Sequence, residues 1–251
     1  MNLYLDNNIF IYLENETLKL SDLENLIENR IDKIFFSTSH IQETLEIKGK
    51  TEKQRIERIN QRLNTIEKFT NNHYLNENLN NQVNKFIESP FNVIQTITEV
   101  SFTQDLMKNM VNLITEEQKK EVRKVLNIDS SKINIYSPLE VIDQLTKKLS
   151  QFGQEYTFLD MIQIGISNHK DGYTLGRSNM IAAIFELLDM LGYWKDKATA
   201  KSNYARFWDS SHTFYASFCD YFISNDKRTV NKAKVVYDLY NIDTKIIIPN
   251  I

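Results

Sequence analysis

The sequence predicts an α/β fold with a central, mainly parallel sheet, and three observations carry that expectation. Short apolar runs recur near both ends of the chain, at Leu3-Tyr4-Leu5, Ile34-Phe35-Phe36 and Tyr221-Phe222-Ile223, as in strands buried on both faces. Helical patterns separate them. An acid follows each run: Asp6 at once, Asp226 three residues on, and Glu43 about one turn inside the helix after the second run. In a parallel sheet the carboxyl ends of the strands share one edge, where ligands bind in open sheets.

The elements follow in order. Leu3–Leu5 is a buried strand ending in Asp6-Asn7-Asn8, ahead of the apolar stretch Ile9 to Leu13. Ile34 to Thr38 is the next strand, and Ser39 is the expected N-cap of a helix with Glu43 one turn inside. Lys50 to Thr70 places Ile56, Ile59, Leu63 and Ile66 at helical spacing and is expected to continue the Glu43 helix past Gly49. The Asn-rich stretch Asn71 to Asn84 reads as a loop or lid.

Helical periodicity resumes at Pro90 to Val100, Thr103 to Leu126, Pro138 to Phe152, Thr157 to Ser167 and Asn179 to Tyr193. Lys132 to Tyr136 alternates like a strand and is expected as a third sheet strand. No Pro-, Gly- or Ser-rich linker interrupts the chain, so residues 1–251 read as a single domain. In that reading 51–130 is a large helical elaboration, and 200–251 is the C-terminal half of the core.

The C-terminal stretch is the most specific. A helix from Asp209 to Asp220 rises about 16 Å, and the strand Tyr221 to Asn225 returns about as far. Asp209 and Asp226 are therefore expected to meet at the carboxyl edge, with Asp220 left at the opposite end. A helix from Thr229 to Tyr240 and a strand from Thr244 to Ile248 close the chain.

Composition excludes several classes. A 41% hydrophobic content supplies a substantial core. One cysteine, Cys219, precludes an internal disulfide framework or a multi-cysteine zinc site and fits a buried thiol in a reducing cytosol. No apolar run is long enough to span a bilayer, and a cytoplasmic location is expected. A net charge of -3 rules out bulk attraction to nucleic acid, so contact with RNA requires a local basic patch.

Four carboxylates at one edge repel one another unless a cation offsets the cost. Mg²⁺ or Mn²⁺, which take oxygen ligands and are completed by water and phosphate, suit such a set. These residues resemble the PIN-like domain nuclease family. Asp6-Asn7-Asn8 resembles its opening Asp-x-Asn, Glu43 its helical Glu, Asp209 with His212 an Asp-x-x-His form of its third acid, and Phe222 to Arg228 its last strand and fourth acid. The resemblance spans about residues 1–50 and 200–251.

The resemblance implies a PIN-like three-layer fold and a metal-dependent endoribonuclease that hydrolyses RNA phosphodiesters. It also implies use as a toxin or in defence or RNA turnover, a homodimer, and, for toxins, a protein inhibitor. Asp6 and Asp226 are the expected direct ligands, Asp209 binds directly or through water, and Glu43 positions or deprotonates the attacking water. Asn8 is expected to hold the Asp6 loop, with Asn225 and His40 beside the site. His212 donates to a phosphate or an acid, or is a helix-surface residue. Lys227 and Arg228 meet the RNA backbone or form a solvated pair capping the next helix, and Tyr12, Tyr204 and Trp208 are candidate stacking surfaces. Two other classes remain: a non-catalytic PIN-like module binding RNA or protein, and a metal-dependent phosphatase or DNA nuclease.

Overall fold

The computed structural model describes residues 1–78, 82–98, 115–130, 132–151, 160, 176–197 and 199–249. Among them ten α-helices accompany a six-stranded, mostly parallel sheet, which makes the protein α/β. The chain divides into two compact units, the first made of Met1–Thr103, Tyr215–Asp226 and Asp243–Ile251, the second of Gln104–Phe214 and Lys227–Ile242.

The first unit holds the sheet: β1 (Asn2–Leu5), β2 (Lys33–Ser37), β3 (His73–Glu77), β4 (Val83–Ile87), β5 (Tyr221–Ile223) and β6 (Lys245–Ile247). The order is β4-β3-β2-β1-β5-β6, and only the β3–β4 pair is antiparallel. Leu3, Tyr4 and Leu5 are all fully buried, which is why these three positions of β1 form an unbroken apolar run. Leu5 pairs with Ile223, and the Asp6 N–H extends the ladder to the Ile223 carbonyl at 2.9 Å.

Helices α1 (Asn7–Glu14), α2 (Leu20–Ile27), α3 (Thr38–Leu45), α4 (Glu52–Thr70) and α5 (Pro90–Thr98) belong to this unit. Phe10, Leu13, Leu23, Ile41, Leu63 and Ile66 join Leu3, Leu5, Phe36 and Ile223 in one core. Each such side chain contributes about 2 kcal/mol by leaving water.

Three sequence expectations are corrected here. The Glu43 helix does not run on past Gly49: α3 ends at Leu45 and α4 starts at Glu52, capped by Thr51, whose hydroxyl accepts from the Gln54 N–H. A Cβ on Gly49 would lie 2.5 Å from Arg55 N, so this turn requires glycine. The N-cap of α3 is Ser37, not Ser39. The Asn-rich stretch after α4 contributes β3 and β4 rather than a lid, so 51–130 is not purely helical. Asn71 and Asn72 take φ of 47° and 64°, a conformation asparagine tolerates, and turn the chain into β3, where Tyr74 and Leu75 are buried.

The second unit contains α6 (Glu116–Val125), α7 (Pro138–Ser150), α8 (Arg177–Leu191), most of α9 (Ala200–Ala216), and α10 (Lys227–Tyr240). Ile181, Ile184, Phe185, Leu188, Trp208, Val230 and Val236 are buried there. The stretch Lys132 to Tyr136 is not a strand. Ile133–Ile135 forms a 3-10 turn in which Ile133 is buried and Ile135 is 79% exposed, so the alternation reflects one anchoring side chain rather than a sheet face. The helix expected over Thr157 to Ser167 lies outside the described residues apart from Asp160.

Candidate functional site

The order of the sheet locates the site. From β1 the chain steps outward through β2 and β3 on one side, and β5 and β6 extend the other. The switch point lies between β1 and β5, and its carboxyl end is formed by Asp6 after Leu5 and by Ser224 after Ile223.

Asp6 is 5% exposed and is the N-cap of α1. Its Oδ1 accepts from the Asn7 N–H at 2.7 Å, and its Oδ2 accepts from the Asn8 amide at 2.6 Å and the Ser224 hydroxyl at 2.5 Å. The Asn8 Oδ1 in turn accepts from the Asn225 N–H at 3.2 Å, so one side chain joins both strand ends. The Ser224 hydroxyl accepts from the Asp226 N–H at 3.1 Å. A single serine thus connects the Asp6 carboxylate to the backbone of Asp226, whose side chain is half-buried. The Asn225 amide donates to the Tyr12 hydroxyl at 3.0 Å. Asp220 lies at the amino end of β5, where its carboxylate accepts from the Asn2 N–H at 2.7 Å.

Glu43 is half-buried on α3, one turn beyond His40. His40 is fully buried between the rings of Tyr4 and Phe10. Its Nδ1 accepts from the Ser37 N–H at 3.0 Å, so the proton sits on Nε2, which donates to the Leu5 carbonyl at 2.7 Å. The peptide group preceding Asp6 is therefore tied to the first turn of the helix that carries Glu43. The Tyr4 hydroxyl lies 2.6 Å from the Ser37 Oγ, and burial pushes its pKa well above the usual phenol value.

The structure brings Asp6, Asn8, Asn225 and Asp226 together and places Glu43 on the adjoining helix. Asp209 and His212 belong to the second unit. Asp209 was expected in the first turn of its helix, but α9 starts at Ala200 and Asp209 is well inside it. The helix runs on through Asn203-Tyr204-Ala205-Arg206, which carries no stop signal, so the acid marked no boundary. His212 is fully buried, which overturns the helix-surface reading, and Trp208 at 3% exposure is a core residue rather than a stacking surface. The side chain of Tyr204 lies outside the described residues. Lys227 and Arg228 are exposed in the first turn of α10. Cys219 is buried, and burial pushes its thiol up to about 12.

Sequence reasoning missed two features. Ser224 is one; the only signal for it was a hydroxyl two residues before Asp226. The other is a buried ion network in the second unit. Arg206, 1% exposed, makes a two-point contact with Glu186 at 2.6 and 2.8 Å and lies 3.2 Å from both Asp189 and Asp196. Lys232 reaches Asp196 at 2.9 Å, and Lys119 reaches Asp189 at 2.9 Å. Burial opposes ionisation of Asp189, but Arg206 and Lys232 outweigh it and hold the carboxyl below the usual range. These partners are too far apart in sequence for any local pattern to reveal them.

Among the described residues no three His, Cys, Asp or Glu side chains form a preassembled ion cage. Mg²⁺ characteristically takes one or two carboxylates, several waters and substrate phosphate, and Asp6 and Asp226 carry ligands of that oxygen type. The neutral donors that orient Asp6 are of the kind found around metal-binding carboxylates. Comparison of the chain with protein-family models, curated proteins and solved structures returns no match.

Proposed function

We propose that the carboxyl edge of the first unit is the active site of a PIN-like, Mg²⁺- or Mn²⁺-dependent endoribonuclease. The observation that carries this reading is the buried Asp6 carboxylate at the topological switch point, linked through Ser224 to Asp226. Hydrogen bonds from Asn7, Asn8 and Ser224 orient this buried acid, as a preorganised metal ligand must be oriented.

In this reading Asp6 and Asp226 hold the ion, while Asn8 and Ser224 keep the Asp6 oxygens in place. When bound, the ion supplies Lewis acidity toward the phosphate and a more acidic water. Glu43 would orient a water for in-line attack on phosphorus and take its proton, while the P–O bond to the leaving ribose oxygen breaks and that oxygen is protonated from solvent. The place of Asp209 in the reaction, and contacts of His212, Lys227 and Arg228 with RNA, rest on the sequence resemblance alone. Service as a toxin or defence effector, a homodimeric state and a protein inhibitor rest on it too.

A second reading is favoured by one observation: Asp6 is the N-cap of α1 and accepts from the Asn7 N–H, a structural task it would also have in a PIN-like module that binds RNA or protein without cutting it. Asp6→Ser separates the two readings, because serine caps a helix but does not replace a carboxylate ligand. We expect Asp6→Ser to fold and to lose both Mn²⁺ binding by calorimetry and cleavage of labelled RNA. Single-stranded DNA and a small phosphomonoester, tested alongside, should be left uncut; their hydrolysis in place of RNA would indicate a phosphatase or DNA nuclease. Cleavage retained by Asp6→Ser would defeat the metal-ligand assignment.

A further inference from the structure

Next to Glu43 the first unit carries a basic turn built on a fixed frame. Residues 46–51 join α3 to α4. Arg55 Nη2 donates to the Leu45 carbonyl at 3.1 Å, Arg58 Nη1 donates to the Lys48 carbonyl at 2.9 Å, and the Lys50 N–H donates to Gln54 Oε1 at 2.7 Å. The Gly49 backbone packs against that of Arg55 too closely for a side chain to fit between them. Two arginines are thus used on the frame itself, and one of them grips the chain two residues past Glu43.

Lys48, Lys50, Lys53 and Arg58 are exposed on this frame. Arg55 pairs with Glu52 at 2.9 Å, whereas Lys48, Lys50 and Lys53 make no ion pair among the described residues. Residues 48–58 contain five basic and two acidic side chains, a local excess of three positive charges in a chain whose net charge is -3. A strongly anionic ligand cannot be drawn to this protein as a whole, so it must be drawn to a place.

We propose that the 48–58 segment receives the phosphate backbone of single-stranded RNA at the Glu43 end of the site. This rests on the nuclease reading given above. Lysine ammonium groups bind phosphates as point charges, without sequence preference. Holding them on a braced turn lowers the entropy lost on binding. An acidic protein is the less suitable occupant, because protein interfaces depend on clustered buried anchors and this segment offers one exposed large apolar side chain, Ile56.

The test is fluorescence anisotropy with a fluorescein-labelled 20-nucleotide single-stranded RNA and the full chain, in EDTA, over a series of KCl concentrations. Lys48→Glu/Lys50→Glu/Lys53→Glu is compared with wild type and with Lys33→Glu/Lys245→Glu, which alters exposed lysines at the amino ends of β2 and β6. Loss of three phosphate contacts should weaken binding at least about tenfold at low salt and reduce the slope of log K against log salt by about 2. The control pair should stay within twofold, and matching thermal melts will show that all three proteins fold. Equal affinity and slope for the triple variant, or no RNA binding by wild type, would overturn the proposal. So would a triple variant that loses binding to labelled polyglutamate while retaining RNA, since the surface would then serve an acidic protein. With no metal present and no cutting, failure here leaves the Asp6 assignment standing, and failure of cleavage leaves this result readable.

Discussion

Asp6 in the first unit and Asp189 in the second are both almost fully buried carboxylates, yet they are held by different partners. Asp189 is surrounded by Lys119, Arg206 and Lys232, and its charge is compensated within the chain. Asp6 accepts from a backbone N–H, an amide and a hydroxyl, neutral groups that fix the direction of its carboxylate oxygens. The first arrangement is that of a structural lock. The second fixes the direction of carboxylate oxygens at the edge of a sheet, as a cation site requires.

The largest expected effect tests the lock. Arg206→Met removes the cation shared by Glu186, Asp189 and Asp196, leaves buried acids undercompensated, and should cost about 3–5 kcal/mol. Urea titration followed by tryptophan fluorescence will read this, since Trp208 lies two residues from Arg206 in the same unit. A loss below about 1 kcal/mol would mean that the network is not what holds the helices of that unit.

Ser224→Ala applies the corresponding test to the first unit. It removes one donor to Asp6 and the acceptor of the Asp226 N–H, for an expected loss of about 1–3 kcal/mol. If Asp6 is a metal ligand, Mn²⁺ affinity should also fall about 10–100-fold by calorimetry. Destabilisation with unchanged Mn²⁺ affinity would reduce Ser224 to a structural bridge.

Acid titration sharpens the contrast. The folded Asp189 carboxyl has a pKa below its unfolded value, so its contribution is fully present above the ordinary aspartate range and is lost as pH falls through the depressed folded value. Urea midpoints measured between about pH 5 and 3 should therefore fall more steeply for wild type than for Asp189→Asn. Parallel curves would remove Asp189 from the acid response. The smallest effect concerns Cys219, whose buried thiol, raised to about 12, stays protonated at neutral pH and should resist alkylation until the protein unfolds.

The same contrast explains what was legible in the sequence. β1, β2 and β5 were readable because a strand buried on both faces must be apolar throughout, and the acids that follow them stand out against those runs. The β3–β4 hairpin was not, because Asn71 and Asn72 supply turn geometry while looking like disorder. The position of Asp209 within its helix was misjudged because an acid inside a helix resembles an acid at its start. Ser224 and the ion network around Arg206 stayed hidden because their partners meet only through long-range folding.

The most direct test of the central claim is cleavage of a labelled single-stranded RNA by wild type and by Asp6→Asn/Asp226→Asn, each with Mn²⁺ and with EDTA. Wild type should cut only with Mn²⁺ and the double variant not at all, with both proteins folded. Cutting that persists in the double variant, or in EDTA, would contradict that claim.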